Sequence, residues 1–209
     1  MDNFSNFLDV TNVKRDSLQK VQSKLKSLGT KEVNELGKFN VIYKKKILKD
    51  FLSRTVLVQD KIMSNTYEYQ ESFPKQSWII TNERSNILGY SCKSAKLNFR
   101  GRNYLAWYTE EIPKSDGPAN FEGLPGLILK ITDENGDYDF SAIAINKTPM
   151  DIYVRNEESI LKVSRDKFRE VQKAYFENPG AFLGKAYNED GSLISIKLKP
   201  IPYNPLELE

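Results

Sequence analysis

Few side chains in this sequence can do chemistry. The 209 residues contain no His and one Cys, Cys92. Without imidazole there is no Ser-His-Asp or Cys-His nucleophile pair and no histidine metal ligand. One Cys permits neither an internal disulfide nor a thiolate zinc cluster. A reactive thiol needs a nearby cation to lower its pKa. Lys93 follows Cys92 directly, but neighbours on a strand point to opposite faces. Cys92 therefore reads as a small buried hydrophobe. Carboxylate chemistry remains. Glu110, Glu111 and Asp116 crowd around Ile112-Pro113, and two carboxyl groups across a cleft can act as acid and base. Adjacent Glu residues on a strand diverge, so a solvated strand end is the simpler reading. Asp133-x-Asn135-Gly136-Asp137 begins like a calcium loop, but its twelfth position is Ala144, where a bidentate acid is required. A hairpin turn accounts for the same residues. Lys44-Lys45-Lys46 with Lys49 lacks the interleaved aromatics of a nucleic-acid platform and reads as a solvated strand end or turn. No metal site and no cofactor is implied.

These residues must be positioned by short strands. From Lys14 to Leu28, Leu18, Val21, Leu25 and Leu28 recur at helical spacing, with Gly29 as a stop. After Phe39 the texture becomes β-branched and aromatic: residues 39–43, Thr55-Val56-Leu57-Val58, Thr66-Tyr67-Glu68-Tyr69 and Trp78-Ile79-Ile80. Asn135-Gly136 between Leu127–Thr132 and Tyr138–Ile145 predicts a hairpin, and Asn188–Gly191 a second one. Between Cys92 and Ala95 the apolar phase changes parity, which predicts a bulge near Lys93 or Ser94. Tyr104–Tyr108 is apolar or aromatic on both faces and predicts a central strand covered on both sides. A second helix is expected from Arg165 to Phe176, capped by Ser164, with Phe168, Val171 and Tyr175 buried. Pro125-Gly126 fits the middle of a type II turn. The expected fold is α+β: a curved, mostly antiparallel β-sheet, open and half-barrel-like, with an N-terminal and a C-terminal helix packed on it. Residues 1–38 would form a polar segment and helix, and 39–209 a single β-rich domain.

The bulk numbers exclude little more. Net charge is +3, from 31 Lys plus Arg against 28 Asp plus Glu, so charge does not argue for nucleic acid. No apolar stretch approaches the ~20 residues of a membrane helix. Met1–Ser5 show neither the charged nor the apolar region of a signal peptide.

One segment is more specific. Gly123-Leu124-Pro125-Gly126-Leu127-Ile128 spells the hexapeptide that names the GLPGLI family of Bacteroidota. Ile87-x-Gly89-Tyr90-x-Cys92-Lys93-x-Ala95, Phe99-x-Gly101-Arg102, Ala106-Trp107-Tyr108-Thr109, Ile112-Pro113 and Gly117-Pro118 resemble the family's core in order. The resemblance runs from about Phe39 to the C-terminus. It implies export to the periplasm or cell envelope, with Met1 standing where a signal has been removed. It carries no activity and hence no catalytic residues.

Two readings of function follow. The first is a non-catalytic envelope protein that holds an apolar or lipidic ligand, or a segment of an outer-membrane protein partner. Its candidate binding residues are Arg102, Trp107, Tyr108, Pro113, Gly117, Pro118, Gly123, Leu124, Pro125 and Gly126. Arg102 would anchor an acidic group at the rim, and the Gly123–Gly126 turn would shape the mouth. The second is a hydrolase using Glu110, Glu111 or Asp116 with Arg102. The absence of His and the lone Cys favour binding.

Overall fold

A computed structural model of the chain describes residues 3–9, 43–147, 152, 154, 156–184, 186–188, 190, 192–194 and 198–209. The strands in chain order are β1 (Phe4–Phe7), β2 (Lys46–Asp50), β3 (Thr55–Ile62), β4 (Asn65–Ser72), β5 (Ile79–Ile87) and β6 (Tyr90–Phe99). They continue with β7 (Arg102–Thr109), β8 (Leu127–Asp133), β9 (Asp139–Ser141) and β10 (Leu161–Lys162). The helix α1 (Arg165–Glu177), β11 (Ala186–Tyr187) and β12 (Leu193–Ile194) complete the list. The protein is α+β, with mostly antiparallel pairing, open sheets and one α-helix among the described residues. The helix expected over Lys14–Leu28 and the boundary expected at 38/39 lie outside the described residues. Contacts within the chain divide it into two compact units.

The first unit comprises Met1–Gln70 and Ile152–Val163. Its sheet has the order β1-β2-β3-β4-β10. β2 is antiparallel to both β1 and β3, whereas β10 runs parallel to β4. Val56, Val58, Asp60 and Ile62 alternate inward along β3, the period-2 signature of a strand with one packed face. Asp50 closes the β2–β3 turn: its carboxylate accepts from the Leu52 and Ser53 amides and from the Ser53 hydroxyl.

The second unit comprises Glu71–Asp151 and Ser164–Glu209. Its sheet has the order β5-β6-β7-β8-β9, antiparallel throughout. Arg100 and Gly101, at φ 46° and 80°, make the two-residue β6–β7 turn. Two successive positive φ angles are what match a tight hairpin to strand twist. Asp133–Tyr138 closes the β8–β9 hairpin as the Asn-Gly signal predicts, with the Gly136 amide donating to Asp133 O at 3.1 Å. β11 and β12 form the second expected hairpin.

Cross-strand register explains the parity change in β6 and corrects the expected bulge. β6 runs against β7 without a break from Lys93↔Tyr108 to Phe99↔Arg102. The irregularity lies on β5, between Ile80 and Arg84 opposite Ser94. Ala95, Leu97 and Phe99 bury one face of the sheet together with Arg102, Tyr104, Ala106 and Tyr108. The other face is closed at Cys92 and Ser94 but open at Lys96 and Asn98. The parity change thus marks where cover passes from one side of the sheet to the other. For the same reason β7 is central but not covered on both sides, since Leu105 and Trp107 are only half-buried.

Helix α1 starts at the expected cap: the Lys167 amide donates to Ser164 Oγ at 3.2 Å. Phe168 is buried as its spacing predicts. Val171 and Tyr175 are half-buried, and Gln172 is the second buried position, accepting from the Tyr203 hydroxyl at 3.2 Å.

Candidate functional site

The signature residues Pro113, Gly117, Pro118 and Gly123 to Gly126 belong to the segment joining β7 to β8, which folds back beside β8. Asp116 bridges Leu127, and the Ile128 amide donates to Asp116 O at 2.9 Å. Phe121 enters the core against Tyr104, Phe99 and Trp78, with ring centroids 4.7, 6.0 and 6.5 Å away. Two side chains ahead of β5 clamp the segment: Gln76 Nε2 donates to Asn120 O, and Trp78 Nε1 donates to Glu122 O, both at 2.8 Å. Pro125 is not part of a type II turn. The Gly126 amide donates to Leu124 O at 2.8 Å, a three-residue turn centred on Pro125. Gly126 is absent from the positive-φ glycines. It is required for space: a Cβ there would stand 2.1 Å from Thr109 O. A Cβ at Gly117 would meet Ile128 Cδ1 at 2.8 Å. Leu124 is buried, while Pro113, Gly123 and Pro125 are exposed.

Arg102 is not at an open rim. It is 4% exposed, and all three of its guanidinium nitrogens are engaged within the chain. Nη1 donates to Asp133 and Asp137 at 2.8 Å each, Nη2 to Asn204 Oδ1 and Pro205 O, and Nε to Pro205 O at 3.2 Å. The guanidinium also lies over the Tyr138 ring at 5.1 Å. The expectation that Arg102 anchors a ligand's acidic group is therefore corrected: Asp133, Asp137 and the chain's own Asn204-Pro205 take its donors. The adjacent Tyr104 hydroxyl, its phenol pushed up by burial, donates to Leu206 O at 2.5 Å.

The carboxylates do not converge with Arg102. Arg102 opens β7 and Glu110 follows its far end, so the strand length of about 23 Å separates them. Glu110 pairs with Lys93 at 2.7 Å, Glu111 accepts from the Ser91 amide at 2.8 Å, and Asp116 accepts from the Gly117 amide at 2.8 Å. Cys92 is fully buried, and burial pushes its thiol up, away from reactivity. Tyr108 is fully buried as well. Its hydroxyl has no partner among the described residues, and burial followed by the Glu110 charge pushes the phenol up. No group of three or more His, Cys, Asp or Glu able to hold a metal occurs among the described residues.

What the fold leaves open is the outer face of the β5–β9 sheet. A hollow of about 590 Å³ lies there, lined by Ile79, Lys96, Asn98, Asn103, Leu105, Thr132 and Glu134, with Leu97, Tyr104 and Asp133 also at its wall. Register makes these residues into rows. Ile79 pairs with Lys96, Lys96 with Leu105, Leu105 with Thr132 and Thr132 with Asp139, one line across all five strands. On one side of that line lie Asn98, Asn103 and Glu134. On the other lie Ser94, Trp107, Lys130 and Ser141. Of the candidate binding residues named from sequence, Trp107 shares this face. The others on it carry a weak sequence signal, the polar alternation of Lys96 and Asn98 between Ala95, Leu97 and Phe99.

The model for the N-glycanase peptide, N-terminal domain family matches residues 9–169. That is more than half of the sequence, and the chain belongs to this family. Among solved structures it is similar to PNGF-II, seen in a P21 and a C2 crystal form. Each match has 20% identity and a TM-score of 0.48, and covers 64% of this chain. The chain spans 25% of the length of those solved proteins. No curated protein sequence matches. No helix among the described residues is long and apolar enough to cross a membrane.

Proposed function

We propose that the chain is a non-catalytic binding or accessory module of the periplasm or cell envelope, and that it binds through the open face of β5–β9. The hollow of about 590 Å³ on that face carries the reading. Its volume falls within the roughly 300–1,000 Å³ typical of ligand sites, whereas the carboxylates and Cys92 are committed to structural contacts. The resemblance to GLPGLI proteins supports export. The family description, an N-terminal domain of an N-glycanase, supports a module that accompanies a catalytic part. The occupant is a small ligand or a segment of an outer-membrane protein.

Leu105→Arg tests this reading, because it puts a charge in the middle of the face while leaving the opposite, buried face unchanged. Retention of the protein on a native envelope fraction is expected to fall sharply in this variant. It is expected to persist in a variant carrying Glu110→Gln, Glu111→Gln and Asp116→Asn. Loss in the carboxylate variant with retention in Leu105→Arg would overturn the proposal.

A further inference from the structure

We infer that the chain carries a peptide-recognition groove, filled by its own residues 204–209, and that the groove takes the identical segment of a second copy by reciprocal exchange. Residues 203–209 belong to no strand or helix. Side chains, rather than a sheet ladder, hold their main chain. Every carbonyl from Asn204 to Glu209 accepts from a side chain elsewhere in the second unit. Asn204 O accepts from the Tyr138 hydroxyl at 2.8 Å, Pro205 O from Arg102 at 3.0 Å and Leu206 O from the Tyr104 hydroxyl at 2.5 Å. Glu207 O and Leu208 O accept from Arg169 at 2.9 and 2.6 Å, and Glu209 O from Arg165. Arginine forks that converge from separate elements on an irregular acidic segment are the means by which proteins read acidic peptides.

The groove is shaped and charged for this segment. Pro205, Leu206 and Glu207 are buried, while Asn204, Leu208 and Glu209 around them are exposed. The Glu207 carboxylate sits between Arg100 and Arg165, with Asn120 donating to it as well. A Cβ at Gly101 would stand 2.9 Å from Leu208 Cβ, so the β6–β7 turn leaves room for the segment to lie against it. The connector leading in, residues 198–202, is exposed throughout and holds Pro200 and Pro202. The Ile201 amide ties it to Phe176 O at 2.8 Å. The segment is thus an anchored triplet on an exposed connector, free to leave as one piece.

A second copy is the occupant that fits. A foreign acidic peptide would push the chain's own segment into water and expose Leu206 there. Reciprocal exchange leaves no groove empty and no segment loose, because each copy supplies what the other gives up. Every contact is then made twice in a two-fold dimer, and the closed and exchanged forms differ only in the connector and in the entropy of association. A short connector holds the segment at an effective concentration of about 1 mM, so exchange sets in as the protein approaches that range.

The test refolds the full chain from urea at about 1 mM and at about 1 μM, above and below the crossover, and reads its mass by light scattering after size exclusion. A dimer of twice the 24.1 kDa chain mass is expected from the concentrated sample only. Deleting Pro200 and Ile201 shortens the connector by about 7 Å. The segment then falls short of its own groove, and the dimer fraction should rise about tenfold or more. Arg169→Gln removes the donors to Glu207 O and Leu208 O, and should weaken the dimer about tenfold or more. Should the deletion fail to fold, the parent with and without Arg169→Gln carries the same comparison. Leu105→Arg, on the open face of the sheet, should leave the dimer unchanged. Monomer at both concentrations, with faster hydrogen exchange across α1 in the deletion variant, would overturn the proposal, since the segment would then undock without exchanging. A dimer lost in Leu105→Arg but kept in Arg169→Gln would overturn it too, by moving the contact to the open face. A deletion variant that stays monomeric yet binds the fluorescein-labelled heptapeptide 203–209 would overturn the second copy as occupant.

Discussion

Arg102 opens a central strand between Gly101 and Asn103, and nothing adjacent in sequence shows what it binds. Its ligands come from 31, 35, 102 and 103 residues away. Replacing it with Lys keeps the charge but loses the fork that serves several acceptors at once. Asp133, which is buried, would then be incompletely paired. Arg102→Lys is expected to cost about 3 kcal/mol, the scale for a broken buried ion pair, read from the urea midpoint. The same contact sets a pH dependence. The Arg102 hydrogen bond, then that of Asn204, holds the Asp137 carboxyl below the usual carboxylate range. Asp137 therefore stabilises the fold above its unfolded pKa of about 3.9, and the stabilisation is lost as pH falls through the lower folded value. The acid loss of stability below about pH 4 should accordingly be shallower in Arg102→Ala than in the parent. A parallel acid limb in both proteins would show that Asp137 contributes none of it. At Gly126 the question is space. Gly126→Ala places a methyl 2.1 Å from Thr109 O and should destabilise by about 3 kcal/mol or more, as forced overpacking does. Gly184 has nothing within 4 Å of its Cβ position, so Gly184→Ala should be neutral or stabilise by up to about 1 kcal/mol. Paired thermal melts separate the two effects.

At the scale of elements, the decisive feature is the terminal segment 203–209, which is fastened to the β5–β9 sheet and to α1. Glu207 is 5% exposed and accepts from Arg100 at 2.5 Å, Asn120 at 2.6 Å and Arg165 at 3.1 Å. Arg169 donates to Glu207 O at 2.9 Å and Leu208 O at 2.6 Å, and the Leu208 amide donates to Arg100 O at 2.9 Å. Glu207→Gln removes the counter-charge of two half-buried Arg residues and is expected to cost about 2–3 kcal/mol, discounted from a fully buried pair. Hydrogen exchange across α1 should accelerate with it, and unchanged exchange there would show that the segment does not hold the helix. Most of the elements themselves were legible. The β8–β9 hairpin was visible in Asn135-Gly136 and the helix cap in Ser164. The parity change at Cys92–Ala95 was visible too, but its cause was not. A bulge on the strand and a change of cover from one face to the other produce the same pattern along a single strand. Register with the neighbouring strands distinguishes them.

At the scale of the molecule, the two units carry different five-stranded sheets. Both tryptophans, Trp78 and Trp107, lie in the second unit, whereas backbone circular dichroism reports on both. Urea unfolding followed by tryptophan emission and by far-UV circular dichroism is expected to give non-coincident transitions, the sign of more than one cooperative unit. Coincident curves would show that the units unfold as one. The chain passes between the units three times, at 70/71, 151/152 and 163/164, and the sequence has no linker-like stretch at Gln70–Glu71 or Val163–Ser164 to announce the division. By itself, the sequence determined what depends on neighbours within a few residues: strand alternation, Asn-Gly turns, a capped helix, and the exclusion of histidine and disulfide chemistry. The tertiary structure alone decided which cation meets which carboxylate, why Gly126 must lack a side chain, and that Lys96, Asn98, Asn103, Leu105, Thr132 and Trp107 share one open face. Those facts depend on contacts across tens of residues, and the register that creates them is set by how whole strands pack, which no local spacing encodes.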